Sequence, residues 1–152
     1  MSTEKQERVV TLEELISRAS ELREQLNSLN TILNMYLNQY RELQLSFETL
    51  RGLPEASSEG FTVLDRLSLV YIPVKISEKW ADSVLVNIGL GYYMRTTRDK
   101  AVELLSRRVR EIEQVLRELQ ARQRALLDEY LALERLISQV IETYRAKATR
   151  TT

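Results

Sequence analysis

The glycine pair Gly89-x-Gly91 is where a phosphate-cradling loop is conceivable, because closely spaced glycines let backbone N–H groups approach an anion. The third glycine of a dinucleotide fingerprint would fall at Met94, and no helix pattern opens there, so the pair reads as a tight turn. No Walker-type run occurs, so ATP is not implied. Carboxylates able to act as general acid and base are plentiful. Yet Glu103/Arg107 and Arg107/Glu111 stand at i,i+4, the spacing of solvated helix ion pairs. Catalytic carboxylates need a pocket that shifts their pKa, and a surface helix offers none. The basic run Arg107-Arg108-Val109-Arg110 is interleaved with acids, whereas nucleic-acid binding asks for a stripe of one sign. The sequence has 0 Cys and 0 His, which excludes disulfides, thiolate nucleophiles and Cys-type zinc sites and removes the commonest general base. The expectation is a non-enzyme with no catalytic residues, no metal site and no cofactor.

Lys+Arg and Asp+Glu balance at 22 each over 152 residues, so no net field draws the chain to nucleic acid or an anionic membrane. Met1 to Arg8 is polar, so no signal peptide is expected, and no apolar run approaches the ~20 residues of a membrane span. A cytoplasmic location is the simplest expectation. Arg and Glu outnumber Lys and Asp, the balance expected of heat-adapted surfaces.

The elements behind these residues read as helix, short β-rich insert, helix. Leu12, Leu15, Ala19, Leu22, Leu26, Leu29, Leu33, Tyr36, Tyr40, Leu43, Phe47 and Leu50 fill every a and d position of a heptad without a gap. Thr11-Leu12-Glu13-Glu14 is a capping box that opens this helix, with an earlier start near Thr3 as the alternative. Gly52 is placed as a left-handed C-terminal cap, with Pro54 just beyond and a polar loop to Gly60. A second seam runs Val102, Leu105, Val109, Ile112, Leu116, Leu119, Gln123, Leu126, Tyr130, Leu133, Ile137, Val140 and Tyr144, opened by Thr97 as N-cap and Asp99 in the first turn. Gln123 alone breaks the apolar rule. It either fixes register or packs its stem and keeps its amide in water. At ~1.5 Å per residue the helices would run roughly 60 and 75 Å, too long for one small core, so each must bury its seam on the other. The fold class is mainly α: a long antiparallel coiled-coil helical hairpin with two β-hairpins inserted between the helices. The whole of 1–152 reads as one domain, with helix 1 at about 11–51, a β-hairpin oligomerisation platform at 61–96 and helix 2 at 98–147.

Within the insert, Val70, Ile72, Val74 and Ile76 alternate with Leu69, Tyr71, Pro73 and Lys75, and Val84, Val86 and Ile88 alternate with Leu85 and Asn87. A shorter strand near Thr62-Val63-Leu64 pairs with the one from Leu69, Glu78 to Ser83 is a turn, and Gly89-Leu90-Gly91 turns into Tyr92-Tyr93-Met94-Arg95. Pro73 places its strand at an edge or leaves its missing N–H facing no partner. Two isolated hairpins are marginal in water, and these are apolar on both faces, so assembly with other chains is expected. Trp80 either caps the core of the insert or touches a neighbouring subunit.

If the helices leave the insert at one level, residue i of the first faces 149 − i of the second, an alignment that sets Leu12 against Ile137. Val140 and Tyr144 would then lack apolar partners, and unpaired apolar surface at an exposed end is a sign of an interaction site. The alternative is that the ends fray or the register differs by a turn.

Ser83-Val84-Leu85-Val86-Asn87-Ile88-Gly89-Leu90-Gly91-Tyr92-Tyr93-Met94, followed by Thr97-x-Asp99-x-Ala101, resembles the strand, glycine turn, Tyr-Tyr strand and helix entry of the prefoldin family, alpha class, as in archaea. The helix, two-hairpin, helix plan resembles that class over nearly the whole chain. One stretch departs: Asp65-Arg66-Leu67-Ser68 stands where the family usually has a glycine-rich turn. The resemblance implies a hetero-hexamer of two alpha-class and four beta-class subunits, joined through strands of the insert. Here the joining residues would be Val70, Ile72, Val74, Val84, Val86, Ile88, Gly89, Gly91, Tyr92 and Tyr93. It implies an ATP-independent holdase chaperone that captures unfolded proteins at coiled-coil tips and delivers them to a group II chaperonin, without nucleic acid or membrane. The client contacts would be Val9, Val10, Leu12, Leu15, Ile16, Leu136, Ile137, Val140, Ile141 and Tyr144. The competing reading is a non-catalytic coiled-coil scaffold or adaptor that binds one specific folded partner.

Overall fold

The computed structural model describes residues 10–150. Helix α1 spans Leu12–Gly52 and helix α2 spans Arg98–Thr149. Between them lie strands β1 (Ser58–Val63) and β2 (Tyr71–Ile76), a 3-10 turn at Trp80–Asp82, and strands β3 (Val84–Gly89) and β4 (Tyr92–Thr96). Two long helices with two antiparallel hairpins between them is the mainly helical architecture expected from the heptads and the β-rich insert. The chain divides into two compact units, one built from the residues up to Leu37 with those from Val115, the other from Asn38–Gln114.

In the first unit the α1 and α2 segments pair along their seams. Leu15, Ala19, Leu22, Leu29 and Leu33 of α1 and Leu116 of α2 are buried, and Leu22 is fully enclosed at 0% exposure. Polar contacts give the direction and register. Gln123 Nε2 donates to Asn30 Oδ1, and Arg23 donates to the Tyr130 hydroxyl at 2.8 Å with its guanidinium 5.8 Å from that ring's centroid. Both pairs of residue numbers sum to 153 and run in opposite senses, so the segments are antiparallel. Arg18 donates to a Glu129 carboxylate oxygen at 2.8 Å, a pair that sums to 147, so these long side chains bracket the 149 − i alignment. Gln123 thus acts through its amide, pinning register through Asn30 at a half-buried seam position.

The capping box at the start of α1 forms reciprocally. Glu14 N–H donates to Thr11 Oγ1 at 3.2 Å, and Thr11 N–H donates to a Glu14 carboxylate oxygen at 3.0 Å. At the other end α1 runs through Gly52, which does not take a left-handed conformation. The cap expected there is absent because the helix stops against Pro54, whose ring disfavours helical backbone at Leu53.

In the second unit Val86, Ala101 and Leu105 are buried, and Val86 lines one groove with Leu43, Leu50 and Leu105. Arg108 donates to the Asn87 carbonyl at 2.8 Å and ties β3 to α2. Thr97 opens α2: its carbonyl accepts from Ala101 N–H at 2.9 Å and its hydroxyl from Lys100 N–H at 3.4 Å. Tyr40 donates to a Glu113 carboxylate at 3.0 Å and accepts from Gln44 at 2.7 Å. The Glu113 bond, helped by partial burial, holds the Tyr40 phenol above its usual pKa. Trp80 turns back onto its own chain, donating from Nε1 to the Pro54 carbonyl at 2.8 Å, beside an Arg98–Glu55 ion pair at 2.8 Å. These bonds fix the segment through which the chain leaves α1.

Hairpin β1–β2 pairs Ser58 with Ile76 through Val63 with Tyr71. It starts inside the stretch expected as polar loop, because pairing with β2 overrides the weak β-propensity of Ser58, Glu59 and Gly60. Its turn has no glycine, and Asp65 holds it instead. The Asp65 carboxylate accepts from Leu67 N–H at 2.8 Å, Leu69 N–H at 3.1 Å and Val70 N–H at 3.0 Å, while Ser68 takes the left-handed conformation with φ 58°. Those amides, Leu69 first, hold the carboxyl below the usual carboxylate range. A depressed folded pKa stabilises above the unfolded value, and that support is lost as pH falls through the folded value. Asp65→Ala is therefore expected to lower the protection factors of the Leu69 and Val70 amides against hydrogen exchange at neutral pH, and acidification of the wild type, once each rate is divided by the intrinsic rate at that pH, should do the same as the carboxylate takes up its proton. Unchanged exchange in the variant would show that the turn holds without the carboxylate.

Hairpin β3–β4 pairs Val84 with Thr96 through Gly89 with Tyr92 and carries a bulge between Asn87 and Gly89. Asn87 Oδ1 accepts from Gly89 N–H at 2.8 Å. The turn takes positive φ three times running: Gly89 at 109°, Leu90 at 52° and Gly91 at 81°. Two glycines adopt this without steric cost, whereas leucine in the left-handed region costs about 1–2 kcal/mol.

Candidate functional site

Two exposed apolar surfaces stand out, one in each unit. In the second unit, the residues of one hairpin face are {Phe61, Val63, Tyr71, Pro73} and of the other {Thr62, Ile72, Val74, Ile76}, as the register and the period of two dictate. Phe61 is 73% exposed and Leu67 77%, and Leu64, Leu69, Val70 and Tyr71 are exposed beside them. On the second hairpin Leu85, Ile88, Leu90, Tyr92 and Tyr93 are exposed. Contiguous apolar area of this kind on two-stranded sheets with open edges is the mark of a surface completed by other chains.

Of the joining residues read from the sequence, Val70, Ile72, Ile88, Gly89, Gly91, Tyr92 and Tyr93 are exposed, and Val74 and Val84 are half-buried. Val86 is buried at 7%, because β3 turns its Val84/Val86 face to its own chain and its Leu85 face outward. Phe61, Leu64, Leu67, Leu85 and Leu90, which the sequence reading did not name among the joining residues, are exposed as well.

The other surface lies where α1 begins and α2 ends. Val10, Ile16, Leu136 and Tyr144 are exposed; Leu12, Ile137, Val140 and Ile141 are half-buried in the seam; Leu15 is buried. Leu15 is thus not part of the open surface. Val9 lies outside the described residues. On α2, Leu136, Gln139, Val140, Thr143, Tyr144 and Lys147 line a shallow groove. Less apolar surface is open there than the sequence suggested, because Val140 and Ile141 are half-buried.

The Glu103–Arg107 pair is a solvated contact at 3.6 Å, and Arg108 of the basic run is engaged with Asn87. Among the described residues no group of three or more His, Cys, Asp or Glu is placed to hold a metal ion, and no helix is long and apolar enough to cross a membrane.

Residues 3–143 match the family model described as Prefoldin subunit. The chain is similar to a prefoldin subunit alpha of Metallosphaera sedula, 24% identical over 131 residues covering 86% of this chain and 90% of the relative. It is similar to a prefoldin subunit alpha of Hyperthermus butylicus, 27% identical over 135 residues covering 89% and 86%. Among solved structures it is similar to filamentous PFD from Methanocaldococcus jannaschii, seen by cryo-EM, with TM-score 0.43 and 16% identity over 84% of this chain and 96% of that one.

Proposed function

Since this chain belongs to the prefoldin family, whose members are chaperone-type subunits that assemble with other prefoldin subunits, we propose that it is the alpha-class subunit of an ATP-independent holdase. The observation that carries the reading is the pair of exposed apolar surfaces: one on the hairpins, suited to assembly, and one at the free helix ends, suited to non-native polypeptide. Beta-class subunits complete the hairpin sheets in a hetero-hexamer of two alpha and four beta chains. Unfolded proteins are held by Val10, Ile16, Leu136 and Tyr144, with Ile137, Val140 and Ile141 at the margin of the seam. Several such ends engaging one client raise affinity through effective concentration, without nucleotide. Release to a group II chaperonin follows when the chaperonin competes for the client, and the work is done in the cytoplasm. The chain acts by binding, not catalysis.

The test is suppression of aggregation. The chain mixed with the beta-class prefoldin subunit of the same genome should keep a chemically unfolded client from scattering light, with no ATP present. A mixture that leaves aggregation of several unrelated clients untouched would point instead to an adaptor for one folded partner.

A further inference from the structure

We propose that hairpin β1–β2 swings as one body on its base, and that a clasp at that base holds it in one orientation. The clasp is the hydrogen bond from Trp80 Nε1 to the Pro54 carbonyl, at 2.8 Å, together with the Arg98–Glu55 ion pair, at 2.8 Å. Pro54 and Trp80 stand equally far along the chain outside the first strand pair, Ser58 with Ile76. Between them and that pair lie residues 55–57 on one side and 77–79 on the other, all exposed and none in a strand. Short stretches of this kind on both sides of an element are where a hinge absorbs backbone rotation.

Among the described residues, the hydrogen bonds and ion pairs made by 58–76 stay inside the hairpin, as with Lys75–Glu59 at 3.9 Å and the amides held by Asp65. None of these residues is buried. The second hairpin is held differently: Val86 is buried, and Arg108 donates to the Asn87 carbonyl. The first hairpin therefore has its own ladder and few bonds to the rest, the marks of a unit that moves whole. What restrains it is concentrated at its base. The indole bond joins segments 26 residues apart and closes the loop that contains the hairpin. Proline has no N–H, so the carbonyl is the one backbone hydrogen-bonding group Pro54 offers, and Trp80 takes it. The ion pair adds the first residue of α2 to the same point. With the Glu55 side chain 71% exposed it is weak alone, and the indole bond carries the larger share. If partners cover this hairpin as proposed above, one already held in place loses less freedom on binding, but the clasp is a property of the free chain.

The test uses the free chain. It has 0 Cys, so spin labels go only where cysteines are introduced, by Phe61→Cys on β1 and Glu111→Cys on α2. Pulsed electron paramagnetic resonance reads the spread of distances between the labels, and hydrogen exchange reads the β1–β2 ladder. With the clasp intact the distribution should be single and narrow. With Trp80→Phe and Arg98→Gln together it should become about twofold broader, while the β1–β2 amides keep their protection. Equal widths with and without the clasp overturn it. Loss of β1–β2 protection in the variant overturns the swing as one body, because the bonds would then maintain the fold of the hairpin and not its orientation. Neither result depends on subunit binding, so the proposed assembly stands or falls separately.

Discussion

Replacing Ile16, Leu136 and Tyr144 together by Ser should abolish most client holding while the assembly keeps its mass. Each is well exposed, at 50%, 44% and 65%, so the folded chain loses little, within about 0.5 kcal/mol per site. Each offers a client about 1 kcal/mol of apolar burial, part of the 1.5–3 kcal/mol of full burial. Three such losses weaken contact at one helix end by about 3 kcal/mol, roughly a hundredfold at 1.4 kcal/mol per tenfold. Because several ends act together, the loss in the assembly exceeds that of any one end. The measurement is the concentration of complex that halves client aggregation. Holding that persists at wild-type concentrations would place client contacts elsewhere on the chain.

The largest effect on stability is expected at Leu22. Its side chain is fully buried, with 0% exposure. Leu22→Ala removes that contact and leaves a cavity that two stiff helices close only in part, at a cost of about 2–5 kcal/mol. The comparison is Leu45→Ala on the same helix, where 61% exposure predicts a change within about 0.5 kcal/mol. Urea unfolding followed by helical circular dichroism distinguishes the two. Equal effects would show that Leu22 does not sit in a closed seam.

The parts of the fold that local chemistry dictates were legible. The gapless a and d positions specify two seam-bearing helices, Thr11 with Glu14 specifies where the first begins, and the Gly89–Gly91 turn separates two strands. What eluded the sequence depended on distant pairing. Register is set by Asn30 and Tyr130 meeting Gln123 and Arg23, and Asn30 and Arg23 belong to no apolar seam. Asp65 replaced the missing glycine by accepting amides up to five residues ahead, a device visible only once the turn is folded. Ser58–Gly60 became strand through its partner, and Gly52 stayed helical because Pro54 supplied the stop. In the second unit the sequence found the apolar strands but not which face of β3 turns to its own chain: Val86, read as a joining residue, is buried, and Leu85 beside it is exposed.

The hairpins carry the central claim, that their exposed apolar faces exist to be covered by other prefoldin subunits. The most direct test is the mass, by light scattering, of the chain alone and mixed with the beta-class subunit of the same genome. The account predicts a single mixed species with the mass of two alpha and four beta chains. Two unassociated species, each eluting at the mass it has alone, would contradict it.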